Sequence, residues 1–195
     1  YINTHNMSLD SSYEGIKEIL DIDNFIDFWI AQLYSTNNDI VNIRYFSHPD
    51  IDNGKLKFIL FDLDYAFYNY SYNYYYFLTD PLGMNERFRI NNTMMIGLMK
   101  NEQFKKDFLE KLSYNLKNVW SKDNLLNRFD EIYNKLYPEM ERNQKRWDLT
   151  MNNWNEWTDK LKYYLENRQE YLLKQTKSYF KLNEEEYNYY FGGLS

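Results

Sequence analysis

The chain contains no cysteine, which excludes a disulfide scaffold, thiol catalysis and thiolate metal sites. That absence says little about compartment, because a secreted chain of this size can fold without disulfides. Only two histidines occur, His5 in a polar arm and His48 beside Pro49. Isolated in different contexts and lacking a third partner, they read as solvated side chains and not as zinc ligands. No basic stripe exists to neutralise phosphates, and the net charge is −6, which argues against a nucleic-acid partner. No apolar run approaches the roughly eighteen residues of a membrane span, and no signal-like segment is present. The chain opens on Tyr1 and not on Met, which suggests an excised piece or a processed product.

What is there is aromatic. Hydrophobic residues make up 44% and aromatics 20%, far too apolar for disorder. At 195 residues the chain can bury one real core, or form one lobe of something larger. Twenty-one tyrosines stand against six glycines. A core built from Tyr needs hydroxyls that reach partners or solvent, which places much of that Tyr at a half-buried boundary.

The patterning predicts an α+β, predominantly helical fold. Residues 1–20 read as an N-terminal arm or linker with a short helix over 12–20. Asp23-Asn24 is expected to cap a stronger helix carrying Phe25, Phe28, Trp29, Gln32 and Leu33. Residues 35–39 form a turn by composition. Residues 40–46 and 55–61 alternate as two strands of a β-hairpin around a Pro/Asp/Asn-Gly turn. Residues 65–92, rich in Tyr and Asn, read as a long irregular loop. Beyond it lie a stripe of Phe104, Phe108, Leu112 and Leu116, and a second of Leu125, Leu126, Phe129, Ile132, Tyr133 and Leu136 after a Ser121 cap. A third helix is expected to start at Pro138, followed by a long helix to about Phe180. Residues 183–195 read as a frayed polar tail.

The chemistry concentrates in the hairpin. Asp39 sits in the turn before the first strand, and Asp62 and Asp64 at the end of the second. Strand alternation would point Asp62 and Asp64 to one face. Antiparallel pairing would then bring Asp39 and Asn42 beside them. Three carboxylates and one carboxamide in a small volume suit Mg²⁺ or Mn²⁺. The plainer reading is that Asp and Asn are ordinary turn residues. Against it, Asp62 and Asp64 follow Phe58-Ile59-Leu60-Phe61 and are flanked by Leu63, Ala66 and Phe67, surroundings in which carboxylates are seldom set without a partner.

The order of parts, Asp39, then Asn42, then Asp62/Asp64, matches the logic of phosphoryl transfer: an Asp for the acceptor hydroxyl, an Asn and a later Asp for metal. The spacing departs from the protein-kinase catalytic loop, with Asn three residues after Asp instead of about five, and no Asp-Phe-Gly occurs. At these residues the sequence resembles the spore coat protein H (CotH) kinases, atypical members of the kinase-like superfamily. The resemblance lies in Asp23-Asn24-Phe25-Ile26-Asp27-Phe28, Asn38-Asp39-Ile40-Val41-Asn42-Ile43-Arg44 and Phe58-Ile59-Leu60-Phe61-Asp62-Leu63-Asp64-Tyr65-Ala66-Phe67. It continues in Leu98-Met99-Lys100-Asn101-Glu102-Gln103-Phe104, Pro138-Glu139-Met140, Arg146-Trp147, Trp157 and Arg168, covering residues 20–182. It implies a C-terminal lobe over 21–182, with Asp39 catalytic, Asn42, Asp62 and Asp64 as metal ligands, and ATP with Mg²⁺ or Mn²⁺ as cofactors. It also implies a protein Ser/Thr acceptor, and a spore-coat or secreted location in a bacterium. No Gly-rich loop or strand-borne Lys precedes the matching region, so an N-terminal lobe is a missing partner and the isolated chain is expected to be inactive.

Two other classes compete. A metal-dependent glycosyltransferase also uses Asp-x-Asp at a strand end, but the helical downstream chain lacks the α/β alternation of a nucleotide-binding sheet. A non-catalytic interaction module is the other. Trp147, Trp154 and Trp157 with Tyr163, Tyr164 and Tyr171 could form a carbohydrate platform, but at helical spacing they read as packing. The run Tyr68, Tyr70, Tyr72, Tyr74, Tyr75 and Tyr76 reads either as a groove wall or as a loop awaiting the other lobe. Arg142, Arg146 and Arg168 read as helix-surface or inter-helix charges.

Overall fold

Helix α2 (Ile22–Ser35) is the axis of the molecule, because its apolar residues recur on nearly every side: Phe25, Ile26, Phe28, Trp29, Ile30, Leu33 and Tyr34 are all buried. The computed structural model describes residues 1–39, 43–79 and 92–194. Around α2 stand α1 (Asp10–Lys17), α5 (Glu102–Tyr114) and the long α7 (Met151–Phe180). The expected stripe of Phe104, Phe108, Leu112 and Leu116 is wholly buried. The arm before α1 packs on this core: Met7 is buried, and Tyr13 of α1 donates to Asp107 of α5 at 2.6 Å.

The hairpin is short. Strands β1 (Arg44–Phe46) and β2 (Lys57–Ile59) pair antiparallel, with Tyr45 opposite Phe58. Its turn runs through Asp52, Asn53 and Gly54, all with positive φ, the residue types that tolerate left-handed backbone. The cap of α2 is Asp21, whose carboxylate accepts from the Asn24 N–H at 3.0 Å. Asn24 therefore has another task. Its side-chain oxygen accepts from the Phe58 N–H at 2.5 Å and its amide donates to the Phe58 carbonyl at 3.1 Å. Phe58 fills the gap beside Phe25 and Phe28, with ring centroids at 5.3 and 5.2 Å, and Lys57 pairs with both Asp21 and Asp52.

Three expectations need correction. The long loop contains α3 (Tyr75–Thr79), and α4 (Thr93–Leu98) follows the Asn92 position. Pro138 starts no helix: α6 runs unbroken from Lys122 to Arg146, with Pro138 inside. The carbonyl that Pro138 cannot bond belongs to Asn134, which is exposed and open to water, so the cost of continuing is lowered. Finally, residues 184–191 are not frayed. They form α8 (Glu184–Phe191), started by a reciprocal Asn183–Glu186 capping box and anchored by the wholly buried Phe191.

Helices α6 and α7 form an αα-hairpin joined by a short turn, with the Tyr133 and Trp154 rings stacked at 5.9 Å. Ser121 caps α6 as expected. No helix among the described residues is long and apolar enough to cross a membrane.

Candidate functional site: the junction of two acidic loops

Helix α2 ends because Thr36 turns left-handed, at φ 48°, and the chain leaves the helix through Asn37, Asn38 and Asp39. The second loop leaves β2 and carries Asp62 and Asp64. The two loops meet. The Asn38 N–H donates to the Tyr65 carbonyl at 3.2 Å, and the Phe67 N–H to the Ser35 carbonyl at 2.7 Å. Between them lies Asn37, almost wholly buried. Its side-chain oxygen accepts from the Asp39 N–H at 3.0 Å, and its amide donates to the Asp62 carbonyl at 3.4 Å. Tyr74 holds the Asn37 carbonyl with its hydroxyl at 2.6 Å. One carboxamide thus ties the backbones of both acidic residues.

Asp62 and Asp64 differ in backbone and in exposure. Strand β2 stops at Ile59, so strand alternation does not set the direction of either side chain. Asp62 is half-buried and adopts φ 58°, while Asp64 is exposed. A non-glycine residue in the left-handed region costs about 1 kcal/mol or more and persists only where its surroundings impose it. Asp39 is half-buried as well. Asn42 lies outside the described residues. Among the described residues, no three His, Cys, Asp or Glu side chains gather as a metal-holding group, so the expected set of three carboxylates does not form. The strand ends at Ile59 and Asp62 takes left-handed backbone, so the extended alternation expected for Asp62 and Asp64 does not hold there. Two half-buried carboxylates on touching loops remain, hard oxygen donors that suit a Mg²⁺ or Mn²⁺ ion completed by phosphate and water.

Beneath the junction is a buried polar knot that sequence reading missed. Of the two expectations for Arg168, surface or inter-helix charge, the second holds: it lies on α7, is wholly buried and reaches the end of α2. Its guanidinium donates to the carbonyls of Leu33 (2.8 Å) and Tyr34 (3.0 Å) at the end of α2, and to those of Tyr70 (2.8 Å) and Tyr72 (3.0 Å). The Gln175 side-chain oxygen is a fifth acceptor at 3.3 Å. Burial pulls the guanidinium below its ordinary pKa, yet Arg stays charged at any physiological pH. Tyr164 adds a hydroxyl bond of 2.5 Å to the Tyr34 carbonyl, and burial pushes its own pKa up to about 12. The Thr36 hydroxyl lies 3.1 Å from that of Tyr164 and 3.3 Å from the Asn69 carbonyl. The Tyr-rich run is therefore laid along α7. Tyr74 and Tyr75 are buried, the Tyr70 ring meets Tyr163 and Tyr171, and the Tyr68 ring meets Trp157.

Beside the second loop, α2 and the α6–α7 hairpin enclose an apolar groove of about 570 Å³, with Leu63, Phe67, Trp120, Phe129, Trp154 and Trp157 in its walls. Ile132 and Leu136, of the expected second stripe, line it and stay partly exposed. Leu60, which also lines the groove, and Phe61 are 48% and 51% exposed. His5 and His48 lie exposed, as expected of solvated side chains.

A search of curated proteins and a search of solved structures return no match. A protein-family model does match. It is the one described as CotH kinase protein, and it covers residues 1–172. That span includes both acidic loops, the Asn37 tie and Arg168, and on it the chain belongs to the CotH kinase family.

Proposed function

We propose that this chain supplies the acceptor- and metal-facing half of an ATP-dependent protein kinase site, with Asp39 and Asp62 as its principal carboxylates. The observation that carries the reading is the Asn37 tie, which fixes the backbones of Asp39 and Asp62 to each other within one buried side chain. Phosphoryl transfer asks little covalent chemistry of the protein; it asks for positioning and charge. Asp39 accepts a hydrogen bond from a Ser or Thr hydroxyl and orients it towards the phosphate. Asp62, held by its left-handed backbone, faces a Mg²⁺ or Mn²⁺ ion, with Asn42 as the second ligand and the exposed Asp64 in an outer, orienting place. The metal, when bound, neutralises the charge of the phosphate oxygens. ATP and an upstream lobe complete the site, and the exposed Phe61 belongs to the side on which that lobe sits. A spore-coat or secreted protein is the acceptor class that the family suggests.

A glycosyltransferase is less well supported, because the described residues carry one two-stranded sheet and no parallel sheet to seat a nucleotide-sugar. The test is a thermal-shift titration of the protein expressed with its native upstream sequence, using Mg²⁺ or Mn²⁺ with ATP and, separately, with uridine-diphosphate sugars. A metal-dependent rise in Tm with ATP alone is expected. A rise with the sugar nucleotide alone would move the protein to the other class, and no rise with either would favour a non-catalytic module.

A further inference from the structure

We infer that Arg168 is a positioning residue for the Asp39–Asp62 junction, acting through backbone carbonyls and touching neither acceptor nor nucleotide. This rests on the kinase reading of those two carboxylates. The last carbonyls of a helix have no partner inside it and carry the negative end of its dipole. In α2 two of them, on Leu33 and Tyr34, receive Arg168 directly, and the next residues are Ser35, Thr36, Asn37, Asn38 and Asp39. The same guanidinium receives the chain again at Tyr70 and Tyr72, eight and ten residues after Asp62. Among the described residues no carboxylate lies in its partner set, so the buried charge is matched by four backbone carbonyls and the Gln175 side-chain oxygen.

A planar fork with five N–H groups can bind both segments at once, which the point charge of Lys cannot reproduce. Arg168 therefore sets the distance between the end of α2 and the return of the second loop. Asn37 and the Phe67–Ser35 bond then set the finer geometry above it. Small misplacements of such loops are expensive, because a displacement of about 1 Å can lower a rate by about 100-fold.

The experiment compares Arg168→Lys and Arg168→Gln. Hydrogen exchange is read on this chain, and ATP-dependent transfer on the protein with its native upstream sequence, alongside Asp39→Asn. The expected result is an exchange increase of about tenfold or more at the amides of Asn38, Asp39 and Phe67, with α5 amides within about twofold. In transfer, kcat should fall by about tenfold or more while KM for ATP stays within about threefold. Exchange that rises evenly along the chain, exchange that does not rise at those amides, or failure of both variants to fold would overturn the proposal and leave Arg168 as a general stabiliser. The two readings fail separately. Loosened loops with transfer indifferent to Asp39→Asn would keep the tether and remove the kinase assignment. Transfer abolished by Asp39→Asn with kcat and loop exchange unchanged in both Arg168 variants would do the reverse.

Discussion

On the α7 side of the Asp39–Asp62 junction, the contacts that fix the loops are buried hydrogen bonds from Arg168, Tyr164, Tyr74 and Asn37. On the hairpin side, Tyr45, Phe46, Ile59, Leu60 and Phe61 all stand more than a third exposed. On the first side, bonds within the chain fix the loops. The second offers neighbouring apolar side chains to water, the kind of surface that soluble proteins reserve for a partner. The contrast teaches that the loops carrying the two carboxylates are bonded from the α7 side, while the hairpin side contributes mainly exposed apolar side chains.

The largest effect should come from breaking the bonded side. Arg168→Ala strips donors from four backbone carbonyls and Gln175. Stability should fall by about 3 kcal/mol or more, read from urea unfolding, because each buried acceptor left alone costs about 1–3 kcal/mol and water can refill only part of the site. Tyr164→Phe is milder. It removes one bond to the Tyr34 carbonyl and should cost about 1 kcal/mol near neutral pH. It should also flatten the alkaline limb. Burial raises the folded pKa of Tyr164 to about 12, and those of Tyr34, Tyr74 and Tyr75 also lie above the ordinary value. A raised folded pKa gives stability that is whole below the unfolded value of about 10 and is lost as pH rises through the folded one. Stability should therefore hold from neutral to about pH 10 and then fall steeply, with tyrosinate absorbance rising in step.

Two further changes sharpen the hairpin side. In Asp21→Asn the cap survives, since Asn caps as well as Asp, but the pairing with Lys57 is lost. Burial pushes the Asp21 carboxyl up, yet the Asn24 N–H and Lys57 outweigh it and hold its pKa below the ordinary value. Its contribution is present above the unfolded pKa of about 3.9 and disappears as pH falls through the folded value. The variant should lose about 0.5–1 kcal/mol near neutral pH and show a weaker acid dependence in urea titrations. Phe61→Ser should change stability least, by no more than about 0.5 kcal/mol, because the ring is already half in water. In the protein with its upstream sequence it should still weaken ATP-dependent transfer, and a loss of stability equal to that of Arg168→Ala would erase the comparison.

The sequence made the helices legible wherever an apolar stripe met the core, as with Phe104, Phe108 and Leu112. It also showed that the Asp39 turn and the Asp62 loop would meet, because a hairpin leaves its ends side by side. It could not show that Asp62 and Asp64 differ in backbone and exposure. That depends on where β2 stops and on a left-handed Asp62, and local patterning read the same residues as extended strand. Asn37 looked like one turn residue among several, since its burial comes from Tyr74 and from a loop distant in sequence. Arg168 was hidden for a related reason. Helical position alone does not tell a buried guanidinium from a solvated one, and its acceptors are backbone atoms about a hundred positions or more away in the chain, which no side-chain pattern records. Pro138 misled because proline's preference for a first turn is a tendency that an exposed Asn134 carbonyl relaxes.

The central claim is that Asp39 and Asp62, and not Asp64, form the working pair. The most direct measurement is ATP-dependent transfer to a Ser/Thr acceptor by the protein with its native upstream sequence, comparing Asp39→Asn, Asp62→Asn and Asp64→Asn. Asn keeps the left-handed tolerance of position 62 while removing the charge. Losses of about 100-fold or more in kcat/KM are expected for the first two and of less than about tenfold for the third. A loss at Asp64→Asn as large as that at Asp62→Asn, or wild-type transfer by Asp39→Asn, would contradict the account.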